Sequence, residues 1–153
     1  MRPRNLLLAL LCLGYALVGC AGSDSNSSAS NGGTEADAAA SLDEGARAGD
    51  SPVDAALAEQ GDVLFKEKGC TACHAFGQQL SGPDLSGVAG RRTNAWLETQ
   101  ILRPDEMAKT DPIARGLIAK HALQMPNQGL TADEAKAVIE FLKSQEASTA
   151  SPE

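Results

Sequence analysis

Cys70-Thr71-Ala72-Cys73-His74 sets two thiols one helical turn apart and places an imidazole directly after the second. Thiols at this spacing can each form a thioether to a porphyrin vinyl group, and the adjacent imidazole is then carried beneath the iron as its proximal ligand. The pentapeptide therefore predicts covalent attachment of one c-type haem through Cys70 and Cys73, with His74 bound to the metal. Two other chemistries use paired cysteines. A structural zinc site needs four Cys or His ligands, and after residue 51 the chain offers only His121 in addition. A thiol-exchange pair needs a strand-helix-strand setting, whereas the surrounding residues hold few β-branched side chains and no alternating run.

The N-terminus tests this reading independently, because covalent haem attachment takes place outside the bacterial cytoplasm. Arg2 and Arg4 precede an apolar stretch of 13 residues, Leu6 to Val18. That length suits the core of an export signal and falls short of the roughly 20 residues that span a bilayer. Leu17-Val18-Gly19-Cys20 closes the stretch in the manner of a bacterial lipobox. Residues 1–19 are therefore expected to be a lipoprotein signal peptide and Cys20 a lipid attachment site; an ordinary signal with a chance cysteine is the alternative. Several acyl chains, at about 0.8 kcal/mol per buried methylene, would hold the chain stably on a membrane. The expected location is extracytoplasmic, facing the periplasm or the cell exterior. All four cysteines are then used: Cys12 leaves with the signal, Cys20 carries lipid, Cys70 and Cys73 carry haem, and no disulfide is expected.

Residues 20–51 are Ser, Ala, Gly, Asn and acidic residues with hardly a large apolar side chain. Such a segment cannot bury enough surface to offset its ordering entropy, so it reads as a flexible acidic linker. Charge agrees. The chain has 13 Lys and Arg against 20 Asp and Glu, but residues 52–145 hold 10 basic and 12 acidic side chains, so the acidity belongs mainly to the linker. Nothing in this balance favours nucleic acid as a partner, which calls for a basic face.

The folded part is expected over 52–146, with 147–153 a disordered tail. It is small enough that a large prosthetic group forms much of its interior. Val53, Leu57, Gly61, Leu64 and Phe65 follow helical spacing up to Gly69. Asn94 to Leu102 and Pro112 to His121 read as two shorter helices, the second capped by Asp111. Thr131-Ala132-Asp133-Glu134 has the form of a capping box ahead of the stripe Ala135, Val138, Ile139 and Leu142. Gly61 inside the first helix predicts a close crossing with the last, filled by Phe141 or Leu142; an exposed, tolerated glycine is the alternative.

Opposite His74 the candidate iron ligands are Met107, Met125 and His121. Met125 is favoured, because Pro126 keeps the chain extended and lets the thioether point inward. Met107 reads as a gap filler in a loop after Pro104, and His121 as a solvent-facing residue at a helix end. Arg91, Arg92 and Trp96 are candidates for the haem propionates; two adjacent arginines cannot both face one way, so one Arg is expected to act with Trp96.

Helix, CxxCH, Gly82-Pro83-Asp84-Leu85, short middle helix, Met125-Pro126 and final amphipathic helix together resemble a class I monohaem cytochrome c over residues 53–144. Arg91-Arg92, Trp96-Leu97, Asp111-Pro112-Ile113-Ala114 and Met125-Pro126-Asn127 are further similar to small cytochromes found with nitrous oxide reductase or terminal oxidases. The resemblance implies an all-α fold, the class I cytochrome c fold, with about four short helices wrapped around one haem. It also implies Met125 as distal ligand and a Pro83 carbonyl that accepts a hydrogen bond from the proximal imidazole. The implied function is one-electron transfer, without catalysis, by a monomer moving between a quinol-oxidising complex and a terminal oxidase or reductase such as nitrous oxide reductase. Its rivals are a haem enzyme or ligand sensor with a labile distal ligand, and a subunit fixed to a larger reductase.

Overall fold

The computed structural model describes residues 42–149, and all the regular structure among them is helical. The expected signal peptide, Cys20 and the linker up to residue 41 lie outside the described residues. Among the described residues there are six α-helices: α1 (Ala55–Glu67), α2 (Val88–Arg91), α3 (Asn94–Leu102), α4 (Pro104–Thr110), α5 (Pro112–His121) and α6 (Ala132–Thr149). Two 3-10 turns, Ala48–Asp50 and Cys70–Ala72, precede and follow α1.

Helix α1 begins where the Asp54 side chain accepts from the amides of Ala56 and Leu57, satisfying two donors the first turn cannot pair internally. Val53, expected within the apolar stripe, lies ahead of that cap and is exposed. Helix α6 begins with the expected capping box: the Glu134 amide donates to the Thr131 hydroxyl at 3.3 Å and the Thr131 amide to Glu134 Oε2 at 2.7 Å. Lys68 beyond α1 reaches Glu134 at 3.0 Å and ties the two helices at one end.

Helices α1 and α6 make the most extensive contact in the fold, and Gly61 is the reason they can. A Cβ there would lie 2.0 Å from the Ala137 carbonyl oxygen and 2.8 Å from Phe141 Cβ, so the backbones meet where only hydrogen fits. The expected crossing is therefore present, with Phe141 in the contact. Phe65 and Phe141 stack beside it with centroids 5.3 Å apart, and Phe76 stands edge-on to Phe141 at 5.7 Å.

Helices α3 and α5 have the expected bounds, but α4 replaces the loop expected after Pro104. Proline ends one helix and opens the next, since its missing amide costs nothing at a first helical position. Met107 is consequently a core residue of α4, 1% exposed, rather than the filler of a loop. Residues 42–51, assigned by composition to the linker, are folded as well: Leu42 packs on the core, and Ala48 is fully buried within it. Helix α6 continues three residues past the expected domain end at 146, to Thr149.

Candidate functional site

The segment that follows α1 builds one wall of a cleft. Gly69, at φ 78°, turns the chain out of the helix, and Cys70–Ala72 then form a single 3-10 turn. The amides of Cys73 and His74 both donate to the Cys70 carbonyl, at 3.2 and 3.0 Å, which holds both thiols on one short turn. Cys70 and Cys73 are half-buried free thiols. Burial pushes the Cys70 thiol up in pKa, which keeps it protonated.

His74 is fixed through its other ring nitrogen. The Pro83 carbonyl lies 2.9 Å from His74 Nδ1, and a carbonyl can only accept, so Nδ1 carries the proton and Nε2 keeps a free lone pair. Such an outer partner orients a metal-binding imidazole and raises its basicity. The Gly82 amide donates to the Cys73 carbonyl at 2.9 Å, and a Cβ on Gly82 would lie 2.7 Å from His74 Cε1. Asp84 closes the loop behind them by accepting from the amides of Ser86 at 2.8 Å and Gly77 at 3.0 Å. The Ser86 amide leads the groups that hold the Asp84 carboxyl below its ordinary pKa.

Facing this wall are α3, α5 and the loop before α6. Together they enclose about 1410 Å³ of empty space, counting the cleft's solvent-open mouth. Leu85, Leu97, Ile101, Leu117, Leu130 and Leu142 make most of its surface apolar, while Cys70, Cys73, His74 and Met125 all border it. Met125 is held from two sides. The Gln100 amide donates to its sulfur at 3.8 Å, and Asn127 pins the loop by donating to the Leu102 carbonyl at 3.0 Å.

The expected propionate residues also border the cleft, with one difference. Arg91 and Arg92 both reach it, because α2 ends at Arg91 and the chain turns extended at Arg92, φ -129° and ψ 152°. Arg91 is exposed, and its guanidinium donates to the Ser86 carbonyl. Arg92 is half-buried and lies over the Trp96 ring, 5.1 Å from its centroid. Trp96 is 3% exposed.

His121 departs from its expected solvent-facing position. Helix α5 ends over the cleft, so His121 borders it. Ala122, at φ 52°, caps the helix in the left-handed conformation and turns the chain toward Met125. Reading by sequence also missed Gln100, since a single polar residue on a short helix carries no signal of what it faces.

Trp96 Nε1, a buried donor with no acceptor among the described residues, fits a ligand that bears a carboxylate. Among the described residues, the buried Trp96 Nε1, Gln100 Oε1 and both His121 ring nitrogens have no hydrogen-bond partner, and all three side chains border the cleft. Buried polar groups are rarely left so. Two adjacent thiols, an imidazole with a free lone pair and a thioether supply the donors a covalent haem requires.

The family described as cytochrome c is matched by residues 58–146. Cytochrome c-551 of Stutzerimonas stutzeri is 34% identical over 96 residues, covering 58% of this chain and 80% of that protein. A solved cytochrome c from Rhodothermus marinus superposes with a TM-score of 0.61 at 32% identity, over 63% of this chain and 83% of that one. An engineered form of the Rhodothermus protein, solved with a carbene intermediate bound, superposes at 0.58 and 32% identity over the same shares.

Proposed function

Because this chain belongs to the class I monohaem cytochrome c family and carries one covalent haem c, we propose that it is a membrane-tethered electron carrier. In this reading Cys70 and Cys73 would hold the porphyrin, and His74 and Met125 would bind its iron. The observation that carries the proposal is the pairing of an imidazole locked by Pro83 at 2.9 Å with a thioether held by Gln100 across one cleft. When bound, the haem supplies a metal that passes between ferric and ferrous states.

The chain's own residues limit what else can happen there. With His74 and Met125 both engaged, neither face is open to oxygen, peroxide or nitrite, so charge transfer is the chemistry left. The thioether and the apolar lining favour the ferrous state relative to a site with two imidazoles. Arg92 and Trp96 orient the carboxylate edge.

Cys20, once acylated, would fix the chain to an extracytoplasmic membrane surface. Residues 21–41, if they behave as a flexible coil with a root-mean-square reach of about 25 Å, would let it visit two partners at high effective concentration. We assign it a quinol-oxidising complex as donor and a terminal oxidase or reductase, nitrous oxide reductase among them, as acceptor. Among the described residues no helix is long and apolar enough to cross a membrane.

Two measurements test the reading. Absorption spectra are expected to show a low-spin ferric protein with the far-red sulfur-to-iron band, and no rapid carbon monoxide binding on reduction. A missing band with rapid binding would instead support a ligand sensor or haem enzyme. Cys20→Ser is expected to release the holoprotein from membranes; retention after this change would exclude the lipid tether.

A further inference from the structure

Residues 42–54 precede the stretch matched to the family, which begins at residue 58, yet they are folded against the corner between α2 and α3 and against α6. Asp43 is their main fastening. Its Oδ1 accepts from the Thr93 amide at 3.0 Å and the Arg47 guanidinium at 3.0 Å, and its Oδ2 from the Arg92 guanidinium at 3.2 Å. Around it the Thr93 hydroxyl donates to the Leu42 carbonyl, and the Ala48 amide donates to the Arg92 carbonyl at 2.8 Å. At the far end Lys143, 3% exposed, donates to Ser51 Oγ at 2.9 Å and the Pro52 carbonyl at 2.8 Å. The segment thus runs from the corner between α2 and α3 to the middle of α6.

What it grips at the first end is Arg92. A guanidinium pulled by a carboxylate on one side and packed on an indole face on the other has little freedom to swing. Arg92 and Trp96 both border the cleft, and among the described residues Trp96 Nε1 has no acceptor.

We propose that Leu42–Asp54 is a strap that sets Arg92 and Trp96 against the carboxylates of the bound haem, with Asp43 as its positioning residue. The inference rests on the haem reading above. Its electrostatic consequence has a definite sign. A negative charge beside the site favours the more positive ferric state, and a positive charge disfavours it. Removing the Asp43 charge raises the midpoint potential; removing the Arg92 charge lowers it. Since Asp43 also fixes where Arg92 points, its loss has a second and opposite effect, a freed Arg92 that lowers the potential, so the two substitutions are coupled rather than additive.

The test is a cycle of Asp43→Asn, Arg92→Gln and the double substitution in the full-length, haem-loaded protein, read by midpoint potential. In the Arg92→Gln background, where only the charge effect remains, Asp43→Asn is expected to give about a doubling of the ferrous-to-ferric ratio at a fixed applied potential. With Arg92 present the freed guanidinium opposes this, and the rise is expected to fall to half or less or to reverse. Ser51→Ala, which loosens only the far end, is expected to lower Tm slightly and leave the potential alone. An equal shift in both backgrounds would overturn the proposal. If Asp43→Asn does not fold, deletion of residues 42–50 in the two backgrounds reads the same point, with a shift that depends on Arg92 supporting the strap and an equal shift refuting it. Bare thiols at Cys70 and Cys73 would sink the haem reading and the strap together, whereas uncoupled potentials in a loaded protein sink the strap alone.

Discussion

The two walls of the cleft are built in opposite ways. Everything that fixes the His74 wall comes from one run, Gly69 to Ser86: a 3-10 turn, an imidazole bonded to a carbonyl nine residues on, and an aspartate that closes the loop. The Met125 wall is assembled from α3, α5 and a loop, and its contacts to the thioether and its loop span 25 residues. A wall made of neighbours in sequence is rigid and intolerant. A wall made of distant pieces has room to change what faces the metal without unmaking the fold.

The sharpest way to break this contrast is a single methyl group on the intolerant side. Gly82→Ala places a Cβ 2.7 Å from His74 Cε1 and 3.0 Å from the Cys73 carbonyl oxygen, and neither atom is the end of a flexible chain. We expect little or no mature holoprotein, measured as haem-stained protein per cell, and a normal yield would refute the account of this wall. On the other side, Met125→Ala removes the proposed distal ligand but no packing keystone. It is expected to keep covalent haem and the helical circular dichroism while losing the far-red band, and to lower the midpoint potential. An unchanged low-spin ferric spectrum would disqualify Met125, and His121, which borders the same cleft, would be examined next.

Smaller effects refine the comparison. Ala122 holds a left-handed conformation, φ 52°, at the turn that leads to Met125, at a cost of about 1 kcal/mol for a residue with a Cβ. Ala122→Gly is expected to raise Tm by about 4–8 °C if most of that is recovered. No rise would mean that the turn carries no strain. Smallest is a pH effect at the junction of α1 and α6. The Thr131 amide, and after it the Lys68 ammonium, hold the Glu134 carboxyl below its ordinary value of 4.5. A folded pKa below the unfolded one gives stability that is present above the unfolded value and is lost as pH falls toward the folded one. Glu134→Gln is therefore expected to flatten the fall of Tm on acidification below about pH 4.5 while changing it little near neutrality. A slope equal to that of the parent protein would dismiss the linkage.

Legibility in the sequence followed the same division. The His74 wall was readable because its determinants are adjacent: CxxCH and the Gly-Pro turn each act within a few residues. Helices α3, α5 and α6 were readable for the same reason, from Pro, an N-cap or a capping box at their starts. The errors were of two kinds, local backbone breaks and contacts of longer range. Pro104 was read as a stop when it is also a start, which turned α4 into a loop and misplaced Met107. His121 was read as facing solvent from its place at a helix end, but tertiary packing lays that end over the cleft. The strap was read as linker because its composition lacks large apolar side chains. It is fastened instead by a buried alanine and by charges whose partners lie 49 and 50 residues away, a distance at which composition is silent. The adjacency of Arg91 and Arg92 was taken to aim them apart, and a break in backbone conformation between them brought both to one cavity.

The account stands on a polypeptide joined covalently to one iron porphyrin at the His74 wall. Intact mass of the exported protein after full denaturation measures this directly. One haem retained on each chain, with no reactive thiol at Cys70 or Cys73, is the predicted result; a chain of unmodified mass with both thiols free would contradict it.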